Sequence, residues 1–207
     1  MLENPKRDAT ALTIVEVDLA TVADALIAAP TYRVVHRRLW VGTKHTLLYA
    51  ELRALALLWR ARYLVADNTG IGAGLVAFLG KGLPAGTVIP YEFNTRTKSD
   101  LGWDFLNLCD AGRWQDYEAG AGDPAAITFW TEPAFCQYEA LPGPNHRLRW
   151  GVPAGTRDPD SGELVHDDTV LSAALVTVLD DQPWHVPTGP TFVIRGRDPL
   201  DEMSRGY

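Results

Sequence analysis

Apolar and polar positions along this chain fall into strand-like and helix-like stretches in regular succession. Ala11 to Leu19 and Tyr32 to Val41 are rich in β-branched residues, with Pro30 in the connection, and predict two neighbouring strands. From Lys44 to Ala61, Leu48, Leu52, Leu55 and Trp59 recur at helical spacing while Glu51, Arg53 and Arg60 fall mostly on other sides, the pattern of an amphipathic helix. Tyr63 to Asp67 reads as a buried strand ending on a carboxylate. It turns through Gly70, Gly72 and Gly74 into a helix carrying Leu75, Val76, Phe78 and Leu79, which ends near Gly80 to Gly82. Thr87 to Phe93 supplies another short strand.

In the second half, Asn94 to Ser99 is a polar, basic loop, and Ser99 is placed to cap a helix from Asp100 to about Ala111. That helix would bury Leu101, Phe105, Leu106 and Leu108, and Gly112 would end it. Ala126 to Ala140 and Arg147 to Val152 read as strands broken by Pro142-Gly143-Pro144, hence a hairpin beside the main sheet. Thr156 to Gly162 is a polar loop before a last helix, Asp167 to Leu179. The order predicts an α/β domain over residues 1–180. The Pro- and Gly-rich residues 181–207 are expected to form a tail, packed on the surface or partly mobile.

Composition narrows this picture. A chain of 207 residues with 46% apolar and 22% charged residues suits one domain with a substantial core. No apolar run approaches the roughly 20 residues of a membrane span. The start, Met1 to Asp8, lacks a signal-peptide core, so a soluble protein of the cytoplasm, without a membrane role, is expected. Cys109 and Cys136 lack metal-ligand spacing and are expected as reduced, mostly buried thiols. A net charge of −7 argues against a broad basic nucleic-acid surface, but allows a local basic groove beside acidic metal ligands.

Two acidic stretches carry candidate chemistry. Asp67 ends a central strand, where open α/β sheets place ligands; the plainer reading is an Asx turn that bends the strand into Gly70. In His166-Asp167-Asp168, helical geometry aligns Asp167 with Leu171 and Ala174, and Asp168 with Leu171 and Leu175. Carboxylates at the edge of an apolar face are costly unless paired or metal-bound, although acids also suit a helix N-terminus as caps and dipole partners. One strand acid and a later helical pair, if packed together, would supply the oxygen cluster that Mg2+ or Mn2+ takes. Two such ions can activate water and stabilise a leaving oxygen in phosphodiester cleavage.

The series Val65 to Gly72, Ile89 to Phe93, Lys98 to Leu106, Arg113, Arg147 to Gly151 and His166-Asp167-Asp168 resembles the C-terminal nuclease domain of bacteriophage terminase large subunits, over roughly Asp8 to Leu179. The resemblance implies a ribonuclease H-like fold: a mixed central sheet flanked by helices, with the extra hairpin. It implies a metal-dependent endonuclease that cuts concatemeric viral DNA during packaging in the bacterial host cytoplasm. Double-stranded DNA, the terminase ATPase domain, the small terminase subunit and the portal would be its partners. No Gly-x-x-x-x-Gly-Lys-Ser/Thr loop is present, so the chain is not the ATPase motor. Carried over by residue, Asp67, Asp167 and Asp168 are the catalytic metal ligands, Asp168 favoured over Asp167. Lys98, Arg96, Arg147, Arg149 and His166 are candidate DNA contacts, Lys98 foremost, with a solvated helix-entry lysine as its plainer reading.

One departure accompanies the match. The family's first strand carries a further metal-binding Asp, whereas only Met1 to Arg7 precede Asp8 here, with Glu3 the sole acid among them. The expectation is a sheet lacking an outer part and a weakened metal site. Other readings are a non-catalytic remnant or accessory module that binds DNA or packaging proteins, another ribonuclease H-like nuclease, and a methyltransferase. The last rests on Asp67-x-x-Gly70-x-Gly72-x-Gly74 followed by Glu92, with an acid-to-glycine spacing one residue off.

Overall fold

A computed structural model describes residues 9–70, 72–118, 120, 122–143 and 145–184. Its elements in chain order are β1 (Ala9–Asp18), β2 (Thr31–Val41), α1 (His45–Leu58), β3 (Leu64–Asp67), α2 (Gly72–Gly82) and β4 (Val88–Tyr91). There follow α3 (Thr95–Asp110), β5 (Trp114–Gln115), α4 (Pro124–Phe135), β6 (Gln137–Ala140), β7 (Leu148–Gly151) and α5 (Asp168–Ala174). A 3-10 helix, Leu175–Asp181, continues directly from α5.

The β-branched stretches form β1 and β2, paired antiparallel from Ala9↔Val41 to Asp18↔Thr31 with an irregularity between Ile14 and Val15. β5 adds to β2 in parallel. β3 and β4 pair in parallel over Leu64↔Val88 to Asp67↔Tyr91, with α2 as their crossover. Helices cover both faces. Leu64 and Val88 pack with Leu48, Leu52 and Leu79 of α1 and α2. The next residue on each strand, Val65 and Ile89, packs with Leu108, Val176 and Leu179 on the opposite side. An ion pair between buried Arg37 and Asp116, with the Arg37 guanidinium 3.7 Å from the centre of the Phe129 ring, ties β2 to α4.

Four local expectations are corrected. Residues 124–135 form α4, a helix where the sequence pattern favoured a strand. Asp123 caps it by accepting from the Ala126 N–H, Pro124 occupies its first turn, and Ala126, Phe129 and Glu132 share its buried face. The capping box of α3 is Asn94 with Thr97, so Ser99 lies inside the helix, buried, and its Oγ accepts from the Leu148 N–H. Leu106 is exposed on that helix, and of the two free cysteines Cys109 is exposed and Cys136 half-buried. The hairpin β6–β7 exists, as a separate sheet docked on α3 through Trp150 and Leu148.

Among the described residues the sheet is divided in its interior, whereas the loss of an outer part was expected. β1 and β3 are each an edge of a separate sheet among the described residues. Between them runs a cleft of about 1590 Å³ lined by β1 from Ala9 to Val17 and by Tyr63 to Asp67. No described helix is long and apolar enough to cross a membrane. Glu3, Asp8 and the expected tail beyond Trp184 lie outside the described residues.

Candidate functional site

Asp67 closes β3 and is exposed. Its Oδ1 accepts from the Thr69 N–H at 2.7 Å, the Asx-turn geometry, and Thr69 Oγ1 accepts from the Phe93 N–H at 2.8 Å. This pins the turn to the end of β4. Gly72 is required by close approach: a Cβ there would meet the Asp67 carbonyl oxygen at 2.6 Å, closer than a non-bonded contact allows. Gly72 thus lets α2 start directly against the carboxylate-bearing residue.

The opposite wall is the start of α5. Asp167 stands at its N-cap position without capping the helix; its Oδ2 instead accepts from Lys98 Nζ at 3.2 Å. Lys98 is held in turn by Trp150, whose ring centre lies 5.5 Å from Nζ and whose Nε1 donates to the Lys98 carbonyl at 2.6 Å. Gly151, at φ +132°, lies where a Cβ would collide with Asp167 Oδ2 and crowd Lys98 Nζ. Gly102 likewise leaves room for the Trp150 indole. The hairpin therefore shapes this corner.

The first turn of α5 is held from below by Glu132, whose Oε2 accepts from the Thr169 N–H at 2.9 Å, the Thr169 hydroxyl at 2.6 Å and the Val170 N–H at 3.0 Å. These donors satisfy backbone groups that a helix N-terminus leaves open. Burial pushes the Glu132 carboxyl up to about 7, against the pull of its three donors and with a further push from the Asp168 charge.

Of the residues expected at a site, Asp67, His166 and Asp168 line the same cleft, with Asp168 half-buried on the first turn of α5. Asp167 and Lys98 form their own pair beside β7. Arg96 pairs with Asp100 on an exposed helix face, Arg149 pairs with Glu139 across the hairpin, and Arg147 is exposed at the entry to β7. Glu132, Trp150 and Gly151 were not singled out as site residues from the sequence. An acid within an apolar stretch was the one available signal for Glu132. Asp67 and Asp168 supply hard oxygen donors of the kind a divalent cation takes. They fall short in number: among the described residues no group of three or more His, Cys, Asp or Glu side chains is gathered to hold a metal ion.

No family model and no curated protein matches the sequence. Solved structures do. The large terminase nuclease from thermophilic phage G20c with bound cobalt is 17% identical, with a TM-score of 0.53, covering 84% of this chain and 82% of that one. The same nuclease with bound magnesium is 18% identical at a TM-score of 0.52, over 84% and 82% of the two chains. A third structure of it is 16% identical at 0.51, over 83% and 82%. The chain has the fold of a large terminase nuclease. The ribonuclease H-like architecture implied by the sequence resemblance is therefore present, as a mixed sheet in two parts flanked by helices.

Proposed function

We propose that this chain is the nuclease domain of a phage DNA-packaging terminase, a metal-dependent endonuclease that hydrolyses phosphodiester bonds of double-stranded DNA. The observation that carries the reading is that Asp67, from a strand end, and Asp168, from the start of a distant helix, line one cleft. The terminase nuclease fold and the cobalt and magnesium bound to the G20c nuclease support it.

Asp67 and Asp168 would hold the cation, which, when bound, supplies an activated water and a counter-charge for the leaving oxygen. Magnesium or manganese suits this oxygen-donor pair, and a two-metal arrangement needs more carboxylate than these two provide. Lys98, fixed by Trp150 and Asp167, stands beside the start of α5 and is the first candidate for a phosphate contact. Asp167 then acts by holding Lys98. His166, exposed at the cleft, and the exposed Arg96, Arg147 and Arg149 are outer candidates for the DNA backbone. The terminase ATPase domain, small subunit and portal would be its partners.

The test is nicking of supercoiled plasmid in manganese or magnesium. Metal-dependent nicking is expected, falling at least about 100-fold in both Asp67→Asn and Asp168→Asn, as loss of charge stabilisation at a reacting phosphate does. Asn at position 67 can still accept the Thr69 N–H, so that variant keeps its turn. Cleavage unchanged in both variants would sink the assignment. The shortage of a third carboxylate favours one second reading, a DNA-binding module without catalysis. Retarded DNA with no cleavage in any divalent metal would select it.

A further inference from the structure

The cleft between β1 and β3 has two properties that a ligand pocket lacks. Its long sides are strand edges, with β1 from Ala9 to Val17 facing Tyr63 to Asp67, so each side presents backbone N–H and C=O groups without a ladder partner among the described residues. Its other two sides are apolar: Leu48, Leu52 and Leu79 from α1 and α2, and Leu171, Leu175 and Val176 from α5 and the following 3-10 helix. An interior space bounded by two open edges and two apolar helix layers has the shape of one missing strand. Along β1 it is about nine residues long, roughly 30 Å.

We infer that residues Thr191 to Arg195 of this same chain fill the part of the cleft beside Tyr63 to Asp67 as a strand between β1 and β3, joining the two sheets into one. Three observations select this segment. The described chain reaches Trp184 at the apolar end of the cleft. There Trp184 meets the Tyr63 ring at 5.2 Å and lies in one cluster with Val17. Beyond it, His185 to Pro190 carry Pro187, Gly189 and Pro190, residues suited to a connection. Then comes Thr191-Phe192-Val193-Ile194-Arg195, in which three consecutive apolar residues, Phe192 to Ile194, follow β-branched Thr191, the pattern of a short strand covered on both faces. At the other terminus, Met1 to Asp8 contains Pro5 and four charged residues and has no such run.

The point of entry fixes the direction. A strand that starts beside Trp184 and Tyr63 runs parallel to β3 and antiparallel to β1, because Val17 at the end of β1 and Tyr63 at the start of β3 share that end of the cleft. Its apolar residues then lie between the helix layers, and Arg195 and Arg197 arrive at the end lined by Asp67 and Asp168. The geometry is β-augmentation performed within one chain. It is independent of whether the chain cleaves DNA.

Amide hydrogen exchange on the full chain tests it. The β1 amides that point away from β2, and the cleft-facing amides of β3, are expected to be protected at least 100-fold over an unstructured chain, at every protein concentration. In the variant Phe192→Asp with Ile194→Asp, both edges are expected to lose that protection while the β1–β2 ladder keeps its own. Excess free peptide of the sequence Thr191 to Asp198 should restore it. Three results would overturn the inference. One is cleft-edge amides already unprotected in the unaltered chain, a measurement needing no variant. Another is protection that survives both substitutions, and the third is protection that disappears on dilution, which would assign the cleft to a second copy.

Discussion

Asp67, at the end of β3, and Asp167, at the start of α5, differ in what holds them. Asp167 is gripped from outside its own helix, with Lys98 of α3 on its carboxylate and Gly151 of β7 cut away to admit it. The turn beneath it is anchored by Glu132 of α4. The side-chain hydrogen bond seen at Asp67 is to its own turn, with the cleft open beside it. The Asp167 side is therefore held by three other elements, whereas the Asp67 carboxylate is held by its own turn, which Thr69 ties to the end of β4. A site shared between such walls has one rigid half and one half whose position depends on what fills the cleft.

The largest expected effect tests the rigid half. Glu132 is 3% exposed and serves three donors, so Glu132→Ala strands buried N–H groups at the start of α5. A loss on the order of 4 kcal/mol is expected in urea unfolding, because hydrogen bonds to a carboxylate each contribute roughly 1.5–3 kcal/mol and partly overlap. Glu132 also sets a pH dependence. Its carboxyl titrates at about 7 in the folded chain against an ordinary 4.5, so the folded state binds the proton more tightly. This contribution to stability is complete below about 4.5 and is lost as pH rises through about 7. Thermal melts should show the unaltered chain losing more stability than Glu132→Gln between pH 5 and 7.5. Parallel curves would mean that Glu132 does not titrate in that window.

Gly151→Ala comes next. The added Cβ would meet Asp167 Oδ2 and Lys98 Nζ, on a backbone at φ +132° that side chains rarely adopt. About 2 kcal/mol of stability should be lost, from strain of roughly 1–3 kcal/mol per such residue. DNA affinity should fall with it, since Lys98 must move. An unchanged melting midpoint would show that the hairpin corner yields freely, contrary to the contrast between the walls.

How far the sequence reached follows the same division. β1 to β4, α1 and α2 were legible because β-branched runs and helical spacing act locally, and the Asx turn at Asp67 was already the plainer reading of its Asp-x-Thr-Gly context. α4 was not, since Ile127, Thr128, Phe129, Trp130 and Thr131 favour a strand by propensity. What decided the helix was the Asp123-Pro124 start and the burial of Phe129 and Glu132 against α5 and β2. The Lys98–Asp167 pair and the Glu132 anchor each join separate elements, so no local pattern carries them. The division of the sheet between β1 and β3 is a tertiary fact as well: among the described residues the gap is interior, whereas the order of segments pointed to the outside of the sheet.

The smallest effect is expected at the open wall. Asp67→Ala removes an exposed carboxylate and its hydrogen bond to the Thr69 N–H, leaving an amide that water can reach. Stability should change by less than about 1 kcal/mol, the range of an exposed capping interaction. The same substitution should abolish metal-dependent cleavage, whereas Gly151→Ala should weaken DNA binding and stability together. That separation between energy and chemistry is what distinguishes the walls. A residue fixed by its own turn contributes little to the fold, so if Asp67 is retained for a cation, its loss will register in metal titration and nicking and hardly in unfolding. A large drop in stability for Asp67→Ala would instead make the residue a structural hinge, and would place the rigid half of the corner on β3.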